Sequence, residues 1–133
     1  MTGIDTNILM YACDKGSGAK QTRALEVISE SADGVLLWQV ACEFIAATRK
    51  LTEQGFSPEA AWAPLDDFLA VFPLVLPTQG ALERAKDLHA NRQVAFWDAL
   101  IFGACLECGI TRLYSEDLPG GIVPGLDVVN PFT

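Results

Sequence analysis

Thr2-Gly3-Ile4-Asp5-Thr6-Asn7 decides the fold, because this stretch ends a short apolar segment on a carboxylate and two further polar side chains. The apolar residues predict a buried strand from about Thr2 to Asp5, and a first helical turn is expected after it, through Ile8 and Tyr11. A carboxylate beside a buried strand is costly unless it is paired or binds a cation. The stretch therefore predicts a working group at the end of the first strand.

Strands and helices alternate along the rest of the chain, which predicts an α/β fold with a mostly parallel central sheet of four to five strands and helices on both faces. Strands are predicted at about residues 35–38, 74–76, 111–115 and 127–129. Helices are predicted at about residues 19–31, 39–54, 58–71, 79–91 and 96–108. Leu25 and Ile28 should face inward, and Pro64 should kink or split its helix. Residues 1–133 are expected to form one domain.

The bulk composition is that of a globular protein with a marked acidic excess. Half of the residues are hydrophobic, 20% are charged, and the net charge is −8. An acidic chain is not typical of nucleic-acid binding, since such proteins usually carry a basic patch. No basic-then-apolar leader is present, and no apolar run reaches the ~20 residues of a membrane span. We therefore expect a cytoplasmic protein without a membrane segment.

The four cysteines are Cys13, Cys42, Cys105 and Cys108. Their apolar, helical surroundings predict reduced thiols packed in the core, as is usual in a cytosol. The pair Cys105-x-x-Cys108 is a weak zinc or redox signal, because no second pair accompanies it. Plain core packing is the preferred interpretation.

Four acidic residues converge if the predicted sheet forms. Asp5 ends the first strand and Asp117 follows the fourth, while Glu43 and Asp98 lie in the first halves of two helices that begin at the same edge. In open parallel sheets the working site lies beyond the carboxyl ends of the strands. Clustered carboxylates repel one another unless cations bind them, and hard ions such as Mg²⁺ or Mn²⁺ prefer oxygen ligands. These four residues supply half of the net charge of −8, so two bound divalent ions would cancel them.

Each acid also has a purely structural interpretation. Asp5 and Asp98 could each cap a helix, since Asp is favoured at the N-cap. Glu43 could be an edge residue whose carboxylate reaches solvent, and Asp117 could serve an ordinary turn. The order of all four along the chain is what favours a site.

That order resembles a known family. The matching segments are Asp5-Thr6-Asn7, Glu43-Phe44, Trp97-Asp98-Ala99-Leu100-Ile101, Tyr114-Ser115-Glu116-Asp117-Leu118 and Val129-Asn130-Pro131-Phe132. Together they resemble the PIN-domain ribonucleases, and most closely the VapC-type toxins of toxin–antitoxin pairs. The resemblance implies that catalysis and metal binding fall to Asp5, Glu43, Asp98 and Asp117, with Thr6, Asn7 and Ser115 in support. Gln39 departs from the pattern, where a small hydroxyl residue is common, and Glu116 falls at a variable position and is not counted as a ligand.

The resemblance also implies an activity and partners. The expected activity is divalent-metal-dependent hydrolysis of RNA phosphodiester bonds with Mg²⁺ or Mn²⁺ as cofactor. Expected partners are the RNA substrate, a cognate antitoxin protein and a second copy in a homodimer. Alternatives are a stand-alone PIN-type nuclease in RNA processing and a non-catalytic phosphate- or metal-binding module. A haloacid-dehalogenase-like phosphatase is disfavoured by Asn7, and a receiver domain by the lack of an acceptor Asp near Leu76.

The remaining candidates are less specific. Phosphate contacts would come from Arg23, Arg49, Lys50 or Arg92. His89 is expected at the surface rather than as a catalytic base. Trp38, Trp62 and Trp97 are expected in the core or at an interface, rather than as platforms for base stacking.

Overall fold

A computed structural model describes residues 1–133, which form five strands and six α-helices. The strands are β1 (Thr2–Ile4), β2 (Gly34–Leu37), β3 (Leu74–Val75), β4 (Arg112–Tyr114) and β5 (Asp127–Val129). The α-helices are α1 (Thr6–Cys13), α2 (Ala19–Glu30), α3 (Trp38–Ala47), α4 (Trp62–Val71), α5 (Gln79–Arg92) and α6 (Phe96–Cys108). Two 3₁₀ segments, Lys15–Ser17 and Thr48–Gln54, follow α1 and α3.

The sheet has the order β3-β2-β1-β4-β5, and every neighbouring pair of strands is parallel. The chain moves outward from β1 through β2 to β3 and then returns to the other side of β1 as β4. Right-handed crossovers place α1–α4 on one face and α5 and α6 on the other. The predicted α/β class is therefore confirmed. The strand order reverses between β1 and β4, which is where such sheets open a crevice.

The core joins the central strands to helices on both faces. Ile4, Leu36 and Leu113 are fully buried on β1, β2 and β4, and Phe44 and Phe102 are buried on α3 and α6. Burying a side chain of this size stabilises the fold by about 1.5–3 kcal/mol. The core thus fixes the helices that carry two of the candidate acids.

A glycine sets the distance between α5 and α6. A Cβ atom at Gly103 would lie 2.5 Å from the carbonyl oxygen of Ala81, closer than side chains approach a backbone. This close packing requires glycine, and it orients α6 and therefore Asp98 at its first turn.

Three details of the helices differ from the sequence-based expectation. The helix predicted from residue 58 begins at Trp62, so Pro64 lies in its first turn, where a missing N–H costs little and causes no kink. The helix predicted over residues 39–54 is α-helical only to Ala47 and continues as a 3₁₀ segment, in which Leu51 leaves helical geometry. Leu25 is 50% exposed, because the inward stripe of α2 falls one residue earlier in the helical repeat.

The thiols are all free, and three of the four are at least partly buried. Cys105 lies in the core, where burial raises the pKa of its thiol, and burial also raises the pKa of Cys13 to about 11. Cys42 is exposed, so the expectation of a core position is wrong for that residue. It lies on the outer face of α3, one residue from the inward Ala41. None of the helices has the length and apolar character that crossing a bilayer requires.

Candidate metal centre and active site

All four predicted acids line one groove at the carboxyl edge of β1 and β4. Asp5 follows β1, Asp117 follows β4, Glu43 lies on α3 and Asp98 lies in the first turn of α6. The groove has a volume of about 500 Å³ and is open to solvent. Parallel strands that end at one edge, and helices that begin there, thus bring together residues that are far apart in the chain.

Asp5 is the buried member of the group, with a relative exposure of 7%. It is the N-cap of α1, and its Oδ1 accepts a hydrogen bond from the Thr6 backbone N–H at 2.8 Å. Its Oδ2 accepts from Ser115 Oγ at 2.7 Å. Burial raises the pKa of Asp5, these two hydrogen bonds oppose the rise, and the charges of Glu43 and Asp117 add to it. Asp5 therefore caps α1 and is oriented by donors to both of its carboxylate oxygens.

Asn7 joins β1 to the loop after β4. Its Nδ2 lies 3.3 Å from Asp5 Oδ2 and 3.3 Å from Asp117 Oδ2, and donates to both. Its Oδ1 accepts from the Glu116 backbone N–H at 3.2 Å. Ser115 Oγ in turn accepts the backbone N–H groups of Asp117 and Leu118. Asn7 and Ser115, two of the three predicted supporting residues, thus contact the acids directly.

Glu43 is held from both sides. Thr6 Oγ1 donates to its Oε2 at 3.0 Å, and Gln39 Nε2 donates to its Oε1 at 2.8 Å from one turn earlier on α3. Gln39 Nε2 also reaches the backbone oxygen of Trp97 at 3.3 Å. The residue that departs from the family pattern therefore orients Glu43 and connects α3 to α6.

Asp98 is the free carboxylate of the groove. It is half-buried and accepts no hydrogen bond from the protein, and Ala95 rather than Asp98 takes the N-cap position of α6. Burial raises the pKa of Asp98, and the nearby charges of Glu43 and Asp117 raise it further. A carboxylate that accepts no hydrogen bond from the protein and lies near two other carboxylates is well placed to bind a cation.

The donor set fits a divalent ion of the Mg²⁺ or Mn²⁺ type. Four carboxylates offer only oxygen ligands, the kind that hard cations prefer. Burial and, secondarily, the neighbouring negative charges raise the pKa of Asp5 and Asp98, and a bound cation would relieve the repulsion among these charges. No three acidic, histidine or cysteine side chains lie close enough together to enclose an ion in this conformation.

Comparison with protein-family models identifies the family of this chain. The family model of the PIN domain matches residues 4–118, most of the chain. The chain belongs to the PIN-domain family. No curated protein sequence matches it.

Solved structures of the same fold span nearly the whole chain. A toxin–antitoxin complex from Klebsiella pneumoniae contains a chain with a TM-score of 0.70 at 21% identity, covering 98% of each chain. VapBC2 from Rickettsia felis, bound to a DNA fragment from its promoter, gives a TM-score of 0.71 at 16% identity, covering 97% of each. VapC20 from Mycobacterium tuberculosis, a sarcin–ricin loop cleaving toxin, gives 0.69 at 18% identity and covers 88% of this chain and 90% of its own. At these identities the likeness shows the shared fold.

Only one of the four candidate phosphate contacts lies in the groove of this PIN domain. Lys50 is the single Lys or Arg that lines it. Arg23 donates to the Pro131 backbone oxygen, and Arg49 and Arg92 line other cavities. His89 is exposed on α5, with its Nδ1 2.9 Å from the Val94 oxygen, and does not line the groove.

Sequence reasoning missed a cluster on the outer side of the groove. Tyr11 Oη donates to Glu116 Oε1 at 2.8 Å, and Lys20 Nζ donates to Glu116 Oε2 at 2.8 Å. The Lys20 hydrogen bond lowers the pKa of Glu116, and the same contact raises the pKa of Lys20. Residues 96 positions apart form this ion pair, and no local pattern of residues could have indicated it.

The tryptophans were predicted in the core or at an interface, and their exposure excludes the core. Trp38, Trp62 and Trp97 have relative exposures of 49%, 54% and 67%. Trp38 and Trp97 line a second groove of about 470 Å³, which lies beyond the carboxyl ends of β2 and β3 and between them and α5 and α6. Its other apolar lining residues are Leu37, Val75, Pro77, Ala81, Leu82, Leu100 and Ala104. We call it the apolar groove, and it meets the acidic groove at Trp97.

Proposed function

We propose that this PIN domain is a divalent-metal-dependent endoribonuclease that hydrolyses RNA phosphodiester bonds and acts as the toxin of a toxin–antitoxin pair. The convergence of Asp5, Glu43, Asp98 and Asp117 in one open groove carries the proposal. Two of the structurally similar proteins are toxin–antitoxin complexes and a third is an RNA-loop-cleaving toxin, which supports it.

The proposed chemistry assigns each acid a separate task. Asp5 and Asp98 would hold the ion, and Asp117 would join them directly or through water. Glu43, oriented by Thr6 and Gln39, would either hold an ion or accept the proton of the attacking water. Bound Mg²⁺ or Mn²⁺ would make that water a better nucleophile and neutralise charge on the leaving oxygen.

The remaining polar residues would prepare this arrangement before RNA arrives. Asn7 and Ser115 hold Asp5 and Asp117 at fixed positions, which limits the reorganisation needed during reaction. Lys50 lies in the same groove and would contact a phosphate of the bound strand. One basic side chain attracts RNA only weakly, so recognition of RNA would depend on the shape of the groove and on the bound metal ion.

The activity is tested with the purified chain, free of any partner. Total RNA is incubated with the protein and Mn²⁺ or Mg²⁺, and the new RNA ends are sequenced. We expect discrete cleavage positions with the parent chain and none with Asp98→Asn or without added divalent ion. RNA that stays intact with the parent at every ion concentration would favour the non-catalytic binding module instead.

We propose a small antitoxin as the partner that covers both grooves. A chain of net charge −8 attracts a basic segment and speeds its association. The apolar groove offers Trp38, Leu82 and Trp97 to an extended or amphipathic helical segment. An Arg at the end of that segment would reach Asp5, Asp98 and Asp117 through Trp97's end of the groove, and its charge would replace that of the ion.

The partner proposal has its own test. The small protein encoded next to this gene is added to the nuclease assay, and Mn²⁺ is titrated against the complex. We expect inhibition that weakens as Mn²⁺ rises, because Arg and ion compete for the same carboxylates. A neighbouring protein that binds without reducing cleavage would leave a stand-alone RNA-processing nuclease as the better account.

We also propose that the chain is a cytoplasmic homodimer. Trp62 on α4 and Leu74 on β3, both exposed, line a shallow groove at the sheet edge in which every lining residue is hydrophobic. An uncharged surface allows two chains of net charge −8 to associate without bringing like charges together. Light scattering after gel filtration should give twice the monomer mass of 14.3 kDa. A mass of one chain at assay concentrations would contradict the dimer.

A further inference from the structure

We propose that Tyr11, Lys20 and Glu116 form a positioning network that fixes the loop carrying Asp117 and thereby sets the affinity of the acidic groove for its ion. The inference rests on the proposed function, since it concerns the same ion. None of the three residues is assigned as a ligand. Their role would be to hold the backbone from which Asp117 projects.

The network joins three parts of the chain through one carboxylate. Each oxygen of Glu116 has its own donor, Tyr11 Oη at 2.8 Å and Lys20 Nζ at 2.8 Å. The two donors also contact each other, with Lys20 Nζ 3.2 Å from Tyr11 Oη. Because Tyr11 is on α1 and Lys20 on α2, the loop after β4 is tied to two helices at once.

Two aromatic rings contact the Lys20 ammonium. Lys20 Nζ lies 4.8 Å from the centre of the Tyr11 ring and 5.6 Å from that of Phe132. The two rings pack edge to face at 5.0 Å. The Glu116 side chain is 23% exposed, whereas that of Lys20 is 45% exposed. Cation–π contacts and partial shielding from water favour a fixed geometry over the mobile geometry of most surface ion pairs.

The position of Glu116 in the loop explains why this would matter for Asp117. Asp117 is exposed, and its carboxylate has one protein donor, Asn7 Nδ2 at 3.3 Å. Asn7 Oδ1 holds the Glu116 backbone N–H from the groove side, while Tyr11 and Lys20 hold the Glu116 side chain from the outer side. The loop is therefore clamped from two directions. Releasing one side would let Asp117 move away from the other acids.

Charge supports the same role. An unpaired carboxylate at position 116 would add to the repulsion among Glu43, Asp98 and Asp117, which line the same groove. Lys20 neutralises Glu116 without entering the groove, since it is absent from the lining. The network thus contributes a fixed backbone and no additional negative charge.

The test compares Glu116→Gln with Glu107→Gln. Glu107 forms the Arg84–Glu107 ion pair at 2.7 Å on α5 and α6, away from the groove, so its substitution removes the same charge and a similar contact. Calorimetry measures Mn²⁺ binding, and hydrogen exchange measures protection of the amides of residues 115–118. We expect Glu116→Gln to weaken Mn²⁺ binding roughly tenfold and to speed exchange at these amides. Glu107→Gln should change neither.

Two further variants separate positioning from general loss of structure. Lys20→Arg keeps the pair and should retain the parent's Mn²⁺ affinity, whereas Lys20→Met keeps the packing on the rings but should resemble Glu116→Gln. Cleavage at saturating Mn²⁺ should fall less than about twofold in all of them, because the ligands remain. This split between affinity and rate would not arise from a merely structural defect.

Failure of the network and failure of the nuclease proposal give different results. Parent-like exchange at residues 115–118 and parent-like Mn²⁺ affinity in Glu116→Gln would overturn the network. A parent chain that binds Mn²⁺ but leaves RNA intact would overturn the nuclease alone, since binding and exchange still measure the positioning effect. A parent that binds no Mn²⁺ would overturn both.

Discussion

The acidic groove and the apolar groove lie at the same edge of the sheet. They differ in how far the chain itself supplies hydrogen-bond partners or apolar contacts to the side chains that line them. At the ends of β1 and β4, Asp5 and Glu43 accept hydrogen bonds on both carboxylate oxygens. At the ends of β2 and β3, Trp38 is 49% and Leu82 is 57% exposed, with no other element of the chain above them. The first groove is a site built by one chain. The second is an exposed apolar surface, of the kind that often marks a binding site.

Asp98→Asn should have the largest effect, because it removes the one carboxylate of the acidic groove that accepts no hydrogen bond from the protein. We expect RNA cleavage to fall about a hundredfold or more, since a bound ion supplies several kcal/mol to this chemistry. The fold should be retained. Asp66→Asn, on the exposed face of α4, is the matched control. If Asp98→Asn cleaved as fast as the parent in the same ion, the site would be wrongly assigned.

Leu82→Lys should separate the two grooves. A lysine here removes apolar contact and repels a basic segment, so antitoxin affinity should fall roughly thirtyfold, about 2 kcal/mol. Cleavage without partner should stay at the parent level. Leu25→Lys provides the control, because Leu25 is 50% exposed on α2 and lines neither groove. Equal losses of affinity in the two variants would show that added charge, and not the apolar groove, is responsible.

Lys50→Gln tests whether the acidic groove has its own hold on the substrate. We expect KM to rise about three- to tenfold with kcat nearly unchanged, because a phosphate contact is made equally in the ground and transition states. The dependence of log K on log salt should weaken by about 0.7, the value for one contact to a single strand. Arg49→Gln, one residue earlier and outside the groove, should alter neither. A change in kcat alone would argue against a phosphate contact.

The sequence was sufficient to predict which acids line the acidic groove, because each of them lies in a short segment whose secondary structure can be predicted locally. A strand that ends on Asp5 and a helix that opens near Asp98 are visible in short segments, and parallel topology then brings such ends to one edge. The approximate positions of all five strands followed from the same patterns. The supporting contacts of Asn7 and Ser115 also agree with what the family resemblance implied.

The apolar groove could not be predicted in the same way. An apolar residue near a strand end is buried only if another element covers it, and that depends on where β3 stops and how α5 returns. Trp38 and Trp97 were therefore expected either in the core or at an interface, and only the structure excludes the core. The Lys20–Glu116 pair was missed for a related reason, because contacts across 96 positions have no signature in a single sequence. Leu25 was wrongly expected to face inward because the buried side of α2 contains Ala24 and Val27 instead, a shift of one residue along the helix.

The smallest effect should be on the free energy of unfolding. Its dependence on pH shows whether burial and repulsion among the carboxylates of the acidic groove destabilise the fold. The pKa of Asp98 is raised in the folded state by burial and by Glu43 and Asp117. Its contribution to stability is therefore fully present below the unfolded pKa of about 3.9 and is lost as pH rises through the folded pKa. Glu116 has the opposite sign: its lowered pKa contributes stability above the unfolded value, which is lost as pH falls through the folded pKa.

Asp98→Asn should therefore be more stable than the parent at about pH 7, by on the order of 0.5 kcal/mol after solvent screening, and the difference should shrink towards pH 4. Urea unfolding at both pH values, without divalent ions, measures it, with Asp66→Asn as the control for loss of one charge. Added Mn²⁺ should reverse the order at neutral pH, because the ion stabilises only the chain that binds it. A variant less stable than the parent at neutral pH without ion would mean that contacts within the chain stabilise the Asp98 carboxylate. The acidic groove would then not contain a destabilising carboxylate, and its contrast with the exposed apolar groove would be lost.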